Sequence, residues 1–417
     1  MRMTSRFAPA LAASCLLAPL VGHAAPAPTY HVVESVKGSD GGWDFANVDP
    51  VRGVLYVART NSVMSVDLAT RKVSDALAPV NGGHQALPIN GGATVVATSG
   101  KNGMTQFVEA STGRVVAQVA SGNKPDAAFY DAATGRVAVM SPGNDTITSI
   151  DAKTHRVTGT MKLAGGLEFA VSNGKGGAFV NLEDASMIAE VDLKAGRLLR
   201  KIALPGCTGP TGLARVAGGR RLISACANGV AVVVDAASGK ALASLPIGKD
   251  ADAVLVDEAR GLAFVPCGGS GTLVALDIRD ADHIAVAQVI PTQIGAKTGA
   301  VDPRDGRIYL PTATLAAPEP GAKRERQRVD KSFKTILELA QITDFRFHDL
   351  RHTFASWYMM NGGDLYELAK ILGHSNIKMT ERYAKLARSH IARTGSTARE
   401  MWKLMQEGMR KQAQGTA

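Results

Sequence analysis

Glycine-rich turns recur at Gly41, Gly82, Gly122, Gly165, Gly206, Gly248 and Gly295, at spacings of roughly 40 to 47 residues. Between them lie short alternating strands: GVLYVART then SVMSVDLATRKV, GRVAVMSPGN then TITSIDAKTHRV, RRLISACANG then VAVVVDAASGKAL. A unit of this length holds four short strands joined by tight turns, and it cannot bury both faces alone. Stacked units cover one another, so the repeat predicts a β-propeller of seven blades between residues 31 and 315.

One column of the repeat carries polar groups that strand formation does not require: Asp44, Gln85, Asp126, Glu168, Thr211, Asp252 and Lys297. They stand at the start of each unit's first strand, the strand that lines the channel of a propeller. The repeat therefore places them as a ring at one mouth, with Trp43 and His84 beside it. A carboxylate ring suits a cation or a cationic ligand; the alternative role of Asp and Thr at strand entries is to bind nearby loop amides. Cys226 and Cys267 end the second strands of units five and six, and Cys207 enters unit five. A Cys207–Cys226 disulfide is geometrically reasonable in an oxidising compartment; a three-thiolate metal site and buried free thiols are the other readings.

The units resemble the YVTN-type propeller family of exported bacterial proteins. Tyr56-Val57-Ala58-Arg59-Thr60-Asn61 and Val66-Asp67-Leu68-Ala69-Thr70 carry the likeness, over about 280 residues. The resemblance implies a fold and names no ligand. An N-terminal export signal fits it: Arg2 and Arg6 precede the apolar run Phe7 to Val21, and small residues at Gly22 and Ala24 offer a cleavage site, giving a signal segment of 1–24. No mature segment is apolar enough over sufficient length to span a membrane.

Past residue 315 the pattern changes. A junction over 316–330 contains the basic run Lys323, Arg324, Arg326 and Arg328, and residues 331–417 follow a helical period. Expected helices run over 331–340, 348–360, 365–372, 377–387 and 397–412, with Asp364 as an N-cap and Gly373 as a stop. Residues 323–417 hold 18 of the 47 Lys/Arg and 10 of the 37 Asp/Glu, a net +8, which leaves +2 for the first 322 residues. With 45% apolar and 20% charged residues overall, disordered and collagenous chains are excluded. An anionic partner is expected to meet the tail.

Within the tail, FRFHDLRHTFASW and LAKILGHSNIKMTERYAKL place His348 and Arg351 three apart on one helix, His374 just after Gly373, and Tyr383 nine residues later. A guanidinium at that position can make paired hydrogen bonds to a phosphate, an imidazole can exchange a proton, and a phenol can attack phosphorus. These elements closely resemble the C-terminal half of the catalytic domain of tyrosine recombinases, the phage-integrase family. The resemblance implies Tyr383 as nucleophile, His348 as the proton-handling histidine, and Arg351 and His374 as phosphate donors. Lys378 and Arg382 join the basic run as expected DNA contacts. The implied chemistry stores the phosphodiester bond energy in a phosphotyrosine link, so it needs no cofactor and no metal.

The family's catalytic set also contains an earlier arginine and a hairpin lysine, and nothing between 31 and 322 resembles the half-domain that carries them. Losing one phosphate-clamping cation costs on the order of 10²-fold in rate or more. The expected architecture is a multidomain chimera: a seven-bladed propeller with an incomplete last blade, followed by an all-α recombinase fragment. Two structures compete for residues 332–337, SFKTIL, as propeller strand or recombinase helix. If the helix takes them, the strand-like segment His31 to Val36 loses its partner. The expected partners are DNA for the tail and an unknown ligand or protein at the propeller mouth. The expected location is periplasmic if the signal is used and cytoplasmic if the tail acts on DNA. A propeller lactone hydrolase would require a metal-binding set that the sequence pattern does not assemble.

Overall fold

The computed structural model describes residues 28–313, 333, 336–337, 340–343, 345, 347–373, 377–386 and 400–407. The expected signal segment 1–24, the basic run 323–328 and His374 lie outside the described residues. The chain divides into two compact units, Met1–Leu315 and Ala316–Ala417.

The first unit is a ring of antiparallel sheets, each built in sequence order. Sheet one is β1 (Trp43–Asp49), β2 (Val54–Arg59), β3 (Ser62–Asp67) and β4 (Val73–Pro79). Sheet two is β5 (Gly83–Ile89), β6 (Thr94–Ser99), β7 (Met104–Glu109) and β8 (Val115–Ala120). Sheet three is β9 (Ala128–Asp131), β10 (Arg136–Ser141), β11 (Thr146–Asp151) and β12 (Val157–Lys162). Sheet four is β13 (Leu167–Ser172), β14 (Gly177–Leu182), β15 (Met187–Asp192) and β16 (Arg197–Ala203). Sheet five is β17 (Pro210–Val216), β18 (Arg221–Cys226), β19 (Val230–Asp235) and β20 (Ala241–Pro246). Sheet six is β21 (Leu255–Asp257), β22 (Leu262–Cys267), β23 (Thr272–Asp277) and β24 (Ala285–Pro291), and a seventh pair is β25 (Ala300–Val301) with β26 (Ile308–Tyr309).

Middle strands are buried along their length because blades press on both their faces, so they read as continuous apolar runs: β18 is buried throughout. Outer strands alternate between half-buried and exposed residues, as β20 does throughout. The turn between third and fourth strands is built by an aspartate. Asp67 Oδ1 accepts from the Thr70 amide at 2.7 Å and from its hydroxyl at 2.8 Å, and Asp151 does the same with Thr154. Asp235 repeats the arrangement with Ser238. Asp67-Leu68-Ala69-Thr70, Asp151-Ala152-Lys153-Thr154 and Asp235-Ala236-Ala237-Ser238 thus share one device: the aspartate side chain closes the turn before the backbone re-enters the sheet.

Ring closure is achieved by a blade of only two described strands. Val301, Ile308 and Leu310 pack on the Leu262, Phe264 and Leu273 core of sheet six. Ala300 and Tyr309 pack on Leu55, Val57 and Val66 of sheet one. The strand expected at His31 to Val36 does not form. Tyr30 is held by the Gln288 side chain through its amide and carbonyl, at 2.9 and 2.8 Å, and Glu34 pairs with Arg71 at 2.6 Å. The intervening backbone joins no sheet, and Val32, Val33 and Val36 are exposed. Of the segment 332–337, Phe333, Ile336 and Leu337 are helical and so supply no strand, with the Ala340 amide donating to the Ile336 carbonyl at 2.9 Å. No third strand is offered to β26 among the described residues.

In the second unit, α1 (Phe347–Met360) and α2 (Leu365–Ile371) are followed by 3-10 turns at Ile377–Met379 and Glu381–Leu386. The last expected helices are corrected in part: 377–387 is broken into these two turns, while residues 400–407 are helical. No helix among the described residues is long and apolar enough to cross a membrane.

Candidate functional site

The tail places its reactive side chains through a short helical corner. Asp364 accepts a hydrogen bond from the Glu367 amide at 2.9 Å and starts α2, and Gly373, at φ 66°, ends it with a conformation that favours glycine. Tyr383, 6% exposed, is buried with Ala355, Met359, Leu368 and Leu372. Its phenol shares a short hydrogen bond with Nδ1 of His352, and the rings stand 5.9 Å apart. Arg351, the residue before His352, donates from Nη2 to the carbonyl of Leu372. Arg351 and Tyr383 therefore both reach the C-terminal end of α2, at Leu372. His348 lies one turn earlier on α1, and Lys378 and Arg382 are exposed on the 3-10 turns.

His352 is the polar neighbour of the phenol that sequence reasoning did not single out. The signal was present: it follows Arg351 directly and stands four residues after His348, on the same side of a helix. An imidazole there can take or return the phenolic proton, depending on which ring nitrogen carries hydrogen.

The propeller mouth is the second cluster, and the register corrects one of its members. Trp43 pairs with Arg59 in sheet one as Gly83 pairs with Ser99 in sheet two, each followed by a bulge. The residue equivalent to Asp44 is thus His84, not Gln85. Gln85 is buried one step further along, where its amide group bonds Asn47 and the Ala128 carbonyl.

His84 Nδ1 meets Asp44 Oδ2 at 2.7 Å and Asp126 Oδ1 at 3.5 Å. The hydrogen bond that His84 donates to Asp44 raises the imidazole pKa; burial opposes this and the Asp126 charge adds to it. Burial pushes Asp126 up to about 6. Glu168 is driven up to about 9 by burial, with the charges of Asp126 and Glu183 adding. Burial also raises Asp252, although Lys297 reaches it at 2.5 Å and works the other way. Thr211 is spent differently: its hydroxyl donates to the Ala251 carbonyl. Cys207 and Cys226 form a disulfide, and Cys267 is a buried free thiol that burial raises to about 11.

Comparison with known proteins also finds two different likenesses along the chain, one for the tail and one for the propeller. Residues 285–390 match the phage integrase family. The integrase of Haemophilus phage HP1 is 64% identical over 44 residues, 11% of this chain and 13% of that protein. The integrase of Salmonella phage P22 is 40% identical over 72 residues, covering 17% and 19%. Tyrosine recombinase XerD of Staphylococcus saprophyticus is 37% identical over 81 residues, covering 19% and 28%. The chain thus spans less than a third of the length of these curated relatives. The family match begins inside the propeller, since residues 285–313 form β24 to β26. Among solved structures, a chain of Kuenenia stuttgartiensis hydrazine synthase superposes with a TM-score of 0.57 at 14% identity, covering 69% of this chain and all of that one. A chain of the mitotic checkpoint complex gives 0.58 at 13%, covering 74% and 95%. These two likenesses concern the fold.

Proposed function

We propose that this is a DNA-binding protein whose tail derives from a site-specific tyrosine recombinase and whose strand-exchange chemistry is impaired. The observation that carries the reading is the corner at which the Tyr383 phenol meets His352 beside Arg351, within a segment that matches the integrases. In the intact reaction the phenolic oxygen attacks phosphorus, a phosphotyrosine bond forms, and the broken phosphodiester leaves as a DNA hydroxyl that takes up a proton. His348 and His352 are the proton-handling candidates, and Arg351 and His374 the phosphate donors. The earlier arginine and the hairpin lysine of the family have no counterpart in this reading. Their places in the chain are occupied by a propeller, so positive charge at the transition state is short.

A suicide DNA substrate that traps the covalent intermediate tests this. The expected result is no adduct, or a trace that Tyr383→Phe abolishes, while DNA binding persists. Efficient trapping by the wild-type chain, lost in Tyr383→Phe, would overturn the impairment.

A second reading is favoured by the polar ring: an exported binding module whose ligand, a cationic group, sits at the propeller mouth. Convergence of Asp44, Asp126, Glu168 and Asp252 on one channel supports it, as does the N-terminal export pattern, which would take the chain to the periplasm. DNA chemistry and export assign the chain to different compartments. The chimera resolves this: a recombinase fragment joined to a propeller reading frame keeps both ancestries without needing both activities.

A further inference from the structure

We propose that Asp44, His84 and Asp126 form a binding site for a divalent first-row transition metal, such as Zn²⁺ or Mn²⁺, at the mouth of the propeller. The inference rests on the binding-module reading and names its ligand class. The three side chains come from three successive blades, and each offers one ligand atom. These atoms all lie within 4.8 Å of one another. The two measured edges, 2.7 and 3.5 Å, bracket the roughly 3.3 Å separation that bonds of about 2.0–2.1 Å impose on neighbouring ligands in a tetrahedral site. One imidazole with two carboxylates is a donor set that zinc and manganese both accept.

One of the two carboxylates lacks a protein hydrogen bond among the described residues and is left to solvent. His84 Nδ1 faces two carboxylate oxygens, yet a single ring proton can serve only one. It serves Asp44. The Asp126 carboxylate, with a side chain only 17% exposed, accepts no hydrogen bond among the described residues and is left 3.5 Å from that same nitrogen. A cation in place of the proton satisfies all three groups at once. The backbone already fixes two of the ligands: the Thr298 hydroxyl holds the Asp44 carbonyl at 2.9 Å, and the Thr98 hydroxyl holds that of Asp126 at 2.8 Å. Gly100 makes the space for the ring, since a Cβ there would stand 2.9 Å from Cδ2 and Nε2 of His84. On the far side of the ring Asp252 has its own cation in Lys297, while Lys124 stands near His84 and Asp126 without an ion pair to either among the described residues.

The test uses the untagged full-length chain, stripped with a chelator and titrated with Zn²⁺ and, separately, Mn²⁺. Bound metal is read by equilibrium dialysis with elemental analysis and by loss of the free Mn²⁺ resonance signal. The expected result is a saturable site whose affinity falls about tenfold or more in both His84→Ala and Asp126→Asn. It is unchanged in His283→Ala, which removes the exposed His–Asp pair elsewhere on the propeller. Asp126→Asn keeps the side-chain shape, and its metal-free melting temperature checks that the ring is intact. Metal should raise the melting temperature of the wild type and not of the variants. Binding that survives both substitutions, or the absence of a saturable site, would overturn the proposal. So would retention of an organic dication such as putrescine in excess chelator with no metal uptake; that outcome would leave the binding-module reading standing.

Discussion

Glu168 shows what the ring costs. Its pKa of about 9 in the fold, against 4.5 for the free side chain, means that the folded state holds a proton that the unfolded state has released. Stability is therefore lost progressively as pH rises from the unfolded value toward 9, and Asp126 adds a smaller loss between 3.8 and about 6. His84 adds in the same direction, because its raised pKa contributes stability that disappears once the ring deprotonates. Glu168→Gln removes the largest part. Its melting temperature should exceed that of the wild type by a few degrees near pH 8 and by much less near pH 5. An equal gain at both pH values would contradict the assignment. Arg351 and Tyr383, grouped by their spacing in the sequence, both reach Leu372 in the fold. Gln85 was aligned with Asp44 in place of His84, because counting from Gly41 and Gly82 assumes a spacing of 41 residues where the strand register spaces the first two sheets by 40.

At the scale of elements, the recurring glycine-rich turns and the short strand-like segments between them made the six four-stranded sheets readable in advance, whereas the continuous burial of the middle strands departs from the alternation expected. The seventh blade was readable only in part. The sequence posed a competition for 332–337, and the helical state of Phe333, Ile336 and Leu337 answers it, leaving His31 to Val36 outside any sheet. Helical propensity and strand alternation coexist in SFKTIL, so only tertiary context decides. The Cys207–Cys226 link closes a loop of separation 19 on sheet five. Reduction should cost about 3 kcal/mol by the loop-entropy estimate. It should lower the urea midpoint of the propeller, and Cys226→Ser should reproduce the loss without reductant. An unchanged midpoint on reduction would place the stability of this blade entirely in the packing of Leu204, Leu213 and Leu222.

On the scale of the whole molecule, the charge is as divided as the architecture: a nearly neutral ring of sheets precedes a tail of net +8. The tail holds most of the segment matched to integrases, and that match covers less than a third of the length of those proteins. The match extends back to residue 285, and β24 to β26 fold with the ring, so the boundary in ancestry and the boundary in structure need not coincide. Composition and motif spacing made this division visible, because basic charge and helical period change together near residue 323. The most direct measurement is the affinity of the full chain for duplex DNA across a salt series. For roughly four neutralised phosphates, binding should weaken by about 10²-fold between about 50 and 200 mM salt. Arg351→Ala together with loss of Lys323, Arg324, Arg326 and Arg328 should flatten that slope. Affinity that ignores salt, or that survives these changes intact, would contradict a recombinase-derived DNA-binding tail.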